Sequence, residues 1–318
     1  MYKWTGLIVA FLGCAIIFLS VFFFFRGKEP SEGKNSSDEV SSEVSSEVSS
    51  EVSSEEVVMT PDVVLSDTSV FQGDMLTLTA TSLVNPTITA DFEFQPKFFE
   101  SDGKHVSFVP ISYKLKAGDY RLKVQADNFE KVLTVSVKEY DFDVQNMYID
   151  EDIADSTVNN ANADWELYVA MKPVKALSDN KLYFTESFIQ PVYGKITTEY
   201  GMIRYVNDEP TSSRHSGIDI AAKQGTPIVA TNSGRVILAQ YLQMTGNTVV
   251  IEHGFGLKSV YYHMSELNVK VDDMVERGQE IGKVGSTGFS TGPHLHFSMA
   301  VNNVWVNPWL FIEDTRNG

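Results

Sequence analysis

Five side chains in the C-terminal part of this 318-residue chain have the types and spacing to do chemistry: His215, Asp219, His263, His294 and His296. His294 and His296 stand in Gly292-Pro293-His294-Leu295-His296-Phe297, where the polar–apolar alternation predicts a strand. Residues i and i+2 of a strand share a face, so the two imidazoles project side by side while Leu295 and Phe297 turn to the core. His215 and Asp219 lie in His215-Ser216-Gly217-Ile218-Asp219, and His263 lies in Tyr261-Tyr262-His263-Met264. The lone cysteine, Cys14, excludes an intramolecular disulfide framework and a Cys-rich zinc site. Histidine and carboxylate are the ligands zinc takes without thiolate. Two His and one Asp leave a net charge of about +1 on a zinc centre, enough to bring a bound water toward a pKa of about 7. The two remaining histidines then serve as proton handlers and oxyanion stabilisers. Alternation puts both His294 and His296 on the site's face and leaves open which one touches metal. His253, in Ile251-Glu252-His253-Gly254, reads as a turn-closing residue with local hydrogen bonds.

The elements that must position these groups are predicted to be mainly β. From residue 190 to 318, Ile228-Val229-Ala230, Val236-Ile237-Leu238, Val249-Val250-Ile251 and Ser259-Val260-Tyr261-Tyr262 are strands separated by glycines. Gly285, Gly288 and Gly292 either make tight turns or let a peptide approach the backbone. Residues 59–140 alternate with period two, as in Leu76-x-Leu78-x-Ala80 and Leu133-x-Val135-x-Val137. Turn signals such as Gln72-Gly73-Asp74 and Ala117-Gly118-Asp119 separate these runs, which predicts a β-sandwich. Gly118-Asp119-Tyr120 followed by Leu122 and Val124 resembles the tyrosine corner of immunoglobulin-like domains. Residues 141–189 read as an acidic, solvated connector, with one further strand over Trp165 to Met171.

The N-terminal segments set the expected location. Leu7 to Phe25 is an uncharged run that as a helix would be roughly 28 Å long, enough to cross a bilayer core. Residues 1–28 are therefore expected to be a single-pass membrane anchor, with no small-x-small cleavage site after Phe25. Residues 29–58 contain a Ser-Ser-Glu-Val repeat with too little apolar surface to offset chain entropy, which predicts a disordered spacer or stalk. The net charge is −17, and residues 57–189 carry −10 of it. Such a chain lacks the Lys and Arg clusters that phosphate neutralisation needs, so nucleic acid is not an expected partner.

From about Pro191 to Leu310 the chain resembles the M23 family of metallopeptidases, the lysostaphin-like or LytM-like group. The matching pieces run from Gly194-Lys195-Ile196-Thr197-Thr198-Glu199-Tyr200-Gly201 through His215-Ser216-Gly217-Ile218-Asp219-Ile220-Ala221-Ala222 and Gly225-Thr226-Pro227-Ile228-Val229-Ala230. They continue through Tyr262-His263-Met264-Ser265, Arg277-Gly278-Gln279 and Gly285-Ser286-Thr287-Gly288 into His294-Leu295-His296-Phe297. The resemblance implies a mostly antiparallel sheet with a substrate groove. It implies that His215, Asp219 and His296 hold Zn2+ and that His263 and His294 act in catalysis. Which of the last two is base and which is stabiliser stays open. Members typically cut cross-links or stem peptides of bacterial peptidoglycan, so the expected partners are peptidoglycan peptides and, through the N-terminal helix, the membrane. The C-terminal domains would then face the extracellular, cell-wall side. Many members carry Glu after His-Leu-His-Phe, where this chain has Ser298, a site expected to tune its surroundings. Some relatives lack the ligands and activate other hydrolases. The five key residues stand here, although an anchored scaffold or activator remains the second expectation for a chain with so large a non-catalytic share.

Overall fold

The computed structural model describes residues 60–149, 151–157 and 159–312. The expected anchor, residues 1–28, and the expected spacer, residues 29–58, lie outside the described residues. Among the described residues no helix is long and apolar enough to cross a membrane. The described chain is mainly β, with antiparallel sheets and few helices.

The first strands make two four-stranded sheets. One contains Asp62–Leu65, Met75–Thr81, Lys104–Pro110 and Phe99–Ser101; the other contains Ser69–Phe71, Phe129–Lys138, Gly118–Ala126 and Thr87–Ala90. Their period-two patterns turn Leu76, Leu78 and Ala80 of one sheet and Leu122, Val124, Val135 and Val137 of the other into one shared core. The Tyr120 hydroxyl donates to Lys116 O at 2.9 Å, the upstream bond of a tyrosine corner. This layer packs against the C-terminal part of the chain. Phe99 stacks on Phe255 at 4.7 Å, Tyr113 meets Tyr200 edge-on, and Asn307 N–H donates to Gly73 O at 2.8 Å.

Residues 141–189 differ from the expected connector. Val144–Met147 is a strand that pairs in parallel with Ile203–Val206, although the acidic side chains Asp141, Asp143, Asp152 and Asp155 are exposed. Trp165 to Met171 is not a strand: it lies inside the helix Ala161–Ala176. Asn160 caps this helix, its side chain accepting from Asn162 N–H and Ala163 N–H. The face that packs on the neighbouring sheet carries Leu167, Ala170, Met171 and Val174, an i, i+3, i+4, i+7 stripe. The β-prone run Trp-Glu-Leu-Tyr-Val is overridden by that longer period.

The C-terminal part is built on an antiparallel sheet in the order Lys195–Thr198, Ile218–Ala221, His294–Val301, Leu257–Met264, Gly246–Gly254, Gly234–Leu242 and Met274–Val275, with Val304–Val306 paired to His294–Val301. Ile218, Ile220, Leu295, Phe297, Met299 and Tyr261 fill the core beneath it. A buried ion pair pins the hairpin between Gly246–Gly254 and Leu257–Met264 to the preceding chain. Lys258 Nζ lies 3.1 Å from Glu252 Oε2 and donates to Leu177 O at 2.7 Å. Glu252 Oε1 accepts from Gly256 N–H and Asp179 N–H.

Both members of that pair are almost fully buried, so removing one leaves the other charge uncompensated in the interior. Glu252→Ala is expected to cost about 3–5 kcal/mol in denaturant unfolding, and Glu252→Leu combined with Lys258→Met to recover most of it.

Candidate functional site

Three adjacent strands set the floor of the site. Asp219, His296 and Tyr262 are directly opposite one another across Ile218–Ala221, His294–Val301 and Leu257–Met264. They share the face opposite Ile218, Leu295, Phe297 and Tyr261, as alternation requires. His215 arrives from the turn before Ile218. Its backbone N–H donates to Met202 O, and its carbonyl accepts from Gly201 N–H at 2.8 Å. Gly217 lets that turn pass over the next strand, because a Cβ there would lie 2.1 Å from Phe297 O.

The result is a tight triangle. His215 Nε2 is 3.0 Å from Asp219 Oδ1 and 2.9 Å from His296 Nδ1, and His296 Nδ1 is 2.9 Å from Asp219 Oδ1. All three residues are buried. His215 Nδ1–H donates to Glu199 O at 2.8 Å, which turns Nε2 into the triangle. One proton can bridge one edge of such a triangle; a dication satisfies all three atoms at once. Bonds of about 2.0–2.2 Å to a tetrahedral zinc ion place ligand atoms roughly 3.3 Å apart, so the donor set fits with an adjustment of a few tenths of an ångström. Burial works against the Asp219 carboxylate, but His215 and His296 beside it hold it well below the usual carboxylate range.

His263 and His294 complete the cluster, their rings 4.8 Å apart. Simple alternation would send the His263 side chain to the core side with Tyr261. A bulge intervenes: the pairing with Gly246–Gly254 shifts register here, and His263 takes φ 64°, a left-handed conformation uncommon for its type. Its N–H donates to Thr245 O, and its ring swings to the face that carries His296, 6.2 Å from that ring. His263 Nδ1–H donates to Thr287 O and His294 Nδ1–H to Gly292 O, each at 2.8 Å, which leaves both Nε2 atoms to exchange protons. His294 Nε2 stands 3.9 Å from Asp219 Oδ1. Burial, then the neighbouring His294 and His296, push His263 down to about 3; burial takes His296 to about 4 against the pull of Asp219.

The five residues singled out in the sequence thus meet in one place. Sequence reasoning missed Glu199, whose carbonyl orients His215, and Thr287, whose carbonyl orients His263. Both act through backbone oxygen, which side-chain identity does not reveal. Gly285 and Gly288 are packing positions, since a Cβ would lie 2.4 Å from Ser265 N and 2.3 Å from Gly246 N respectively. His253 stays outside the site. It is buried in Gly246–Gly254, with Nδ1–H donating to Ser233 O and Nε2 accepting from Ser259 Oγ, each at 2.8 Å, so one of its bonds reaches well beyond the turn.

Comparison with known proteins places this arrangement. Residues 213–308 match peptidase family M23. The chain is 37% identical over 118 residues to the peptidoglycan DD-endopeptidase ShyB of Vibrio cholerae serotype O1, covering 36% of this chain and 27% of that protein. It is 40% identical over 121 residues to the DD-carboxypeptidase/endopeptidase Mpg of Neisseria meningitidis serogroup B, covering 38% of this chain and 28% of that protein. The chain therefore spans less than a third of the length of these curated relatives. A crystal structure described as a peptidase M23 from Pseudomonas aeruginosa aligns over 76% of this chain and 93% of that one, with 25% identity and a TM-score of 0.56.

The buried histidines make stability depend on pH. His253 is held at about 4, burial being the main cause, as it is for His263 and His296. An unfolded chain protonates each histidine as pH falls through about 6.5, while the folded protein resists. The unfolded state then binds more protons, and each group lowers stability by up to about 1.4 kcal/mol per pH unit. The metal-free protein is expected to lose thermal stability steadily from pH 7 to pH 5, with a shallower slope in His253→Gln; scanning calorimetry across that range checks it.

Proposed function

We propose that this chain, whose residues 213–308 form a peptidase family M23 domain, is a zinc-dependent endopeptidase that hydrolyses peptide bonds of bacterial cell-wall peptidoglycan, in a cross-link or a stem peptide. The observation that carries this reading is the convergence of a buried His-Asp-His triangle with two further imidazoles on one sheet face. The names of the curated relatives support the substrate class. His215, Asp219 and His296 would hold the ion. When bound there, zinc supplies Lewis acidity toward a peptide carbonyl and lowers the pKa of a water molecule.

The chain's own residues supply the rest. His263 and His294 each present an Nε2 beside the triangle, with Nδ1 tied to a backbone carbonyl so that neither ring turns away. Either ring, as acceptor, takes the proton released by the attacking water; once protonated it donates to the developing oxyanion or returns the proton to the leaving amine. Burial, then His294 and His296, keep His263 unprotonated at neutral pH and make it a weak base, so a proton it accepts is readily passed on. The apolar run Leu7–Phe25 and the Ser/Glu-rich spacer support an anchored protein whose catalytic part reaches the wall from the outer side of the cell membrane.

The purified protein is expected to carry one zinc per chain by elemental analysis and to release muropeptides from isolated walls. Asp219→Ala should lose metal and activity together. His263→Ala should retain zinc and lose turnover by about 10²–10⁴-fold. Full activity in His263→Ala would remove that residue from the mechanism, and bound zinc without release from several wall types would assign the chain to the scaffold reading.

A further inference from the structure

Of the two imidazoles in the triangle, His296 is the one whose outer nitrogen meets hydroxyls and not a backbone carbonyl. Its Nδ1 closes the triangle, and its Nε2 meets two hydroxyls: Ser298 Oγ at 2.8 Å and Ser216 Oγ at 3.2 Å, themselves 3.4 Å apart. Ser298 is fully buried and follows His296 by two residues on the same strand face. Ser216 follows His215 and is brought over the strand by Gly217, where a Cβ would also lie 2.4 Å from Ser298 Oγ. The Tyr262 ring lies parallel to the imidazole, at 9° and 5.1 Å. None of the described carboxylates is bonded to Nε2.

We propose that Ser298 and Ser216 are positioning residues for His296: as a pair of neutral hydroxyls they hold its hydrogen on Nε2 and so present the Nδ1 lone pair to a metal ion. The proposal rests on the zinc reading above. A neutral imidazole carries one N–H, and the nitrogen that lacks it is the one able to ligate. Ligating histidines commonly fix this by donating the other N–H to a carboxylate or carbonyl, as His215 does to Glu199 O. A hydroxyl can donate as well as accept, so one serine alone would permit either tautomer. Two hydroxyls weight the choice. A single ring lone pair accepts from only one of them and leaves the 3.2 Å contact to Ser216 Oγ unmade, whereas one N–H is shared between both oxygens, with one hydroxyl passing its hydrogen to the other. Asp219 Oδ1, 2.9 Å from Nδ1, is the competing acceptor for the ring's hydrogen. Neutral partners also leave the charge of the His-Asp-His donor set unchanged.

The test uses the purified full chain, its Ser298→Ala, Ser298→Thr and Ser216→Ala variants, and circular dichroism to confirm folding. Long-range proton–nitrogen NMR of the metal-free and zinc-loaded protein reads which ring nitrogen of His296 bears hydrogen, and chelator competition reads zinc affinity. Zinc-loaded wild type should show Nε2–H, and the metal-free protein a share of it against the pull of Asp219 Oδ1 on Nδ1–H. Ser298→Ala should move His296 toward Nδ1–H and weaken zinc about tenfold, Ser216→Ala should act in the same direction, and Ser298→Thr should restore both readouts. Zinc affinity within about twofold of wild type in both alanine variants, with the tautomer unchanged, would overturn the positioning role and leave the zinc reading standing. A wild-type protein that takes up no zinc would overturn both.

Discussion

Three electron-rich atoms held about 3 Å apart in a buried place oppose one another unless a cation lies among them, and the architecture around His215, Asp219 and His296 serves to keep them there. Asp219 and His296 are fixed by strand register, which leaves them no freedom to separate without breaking a central ladder. His215 is fixed by the turn before that strand, clamped on both sides by backbone hydrogen bonds to Met202 and Gly201. Every second ring nitrogen in the cluster is occupied: by Glu199 O, Thr287 O, Gly292 O or the paired hydroxyls of Ser298 and Ser216. The surrounding sheet keeps the three donor atoms together whether a proton or a dication lies among them.

The His263 bulge belongs to the same economy. A left-handed φ at a non-glycine residue costs on the order of 1–3 kcal/mol and persists only where neighbours determine it. Here Thr245 O takes the His263 N–H, and Thr287 O takes its ring hydrogen. Gly246, itself at φ 64°, and Gly288 bring those two backbone segments together, since a Cβ on Gly246 would lie 2.1 Å from Thr287 Oγ1. The strain therefore rests on two glycine-dependent turns, and it re-aims one imidazole from the core side to the face of His294 and His296.

Much of this was legible in the sequence, and the illegible part has a physical cause. The pairing of His294 with His296, the sandwich strands and the polar members of the site follow from period-two alternation and residue type, which a strand displays directly. The face of His263 did not follow, because alternation predicts the opposite side and a bulge leaves no mark in composition. Trp165 to Met171 misled for a different reason. Trp165, Tyr168 and Val169 favour a strand in the short window, while the helical stripe of Leu167, Ala170, Met171 and Val174 shows only over a longer one. Backbone carbonyls as orienting groups are invisible to any reading of side chains.

That helix bears on the site itself. Tyr262 pairs across the strands with His296, and Val260 pairs with Ser298. Both Tyr262 and Val260 belong to the cluster that Met171 and Val174 of Ala161–Ala176 cover, so the helix lies on the same sheet face as the histidines, beyond Tyr262. It also reaches the rim, where Glu166 Oε2 accepts from Gln243 N–H at 2.7 Å, one residue before the Met244 carbonyl that receives Phe289 N–H. A segment that reads as a connector thus excludes water from the far side of the His296–Tyr262 stack. In a drier surrounding each hydrogen bond and charge contact of the triangle is stronger than it would be in solvent. The face that carries the His-Asp-His triangle is for this reason shaped by residues 141–189 as well as by the strands that bear those side chains.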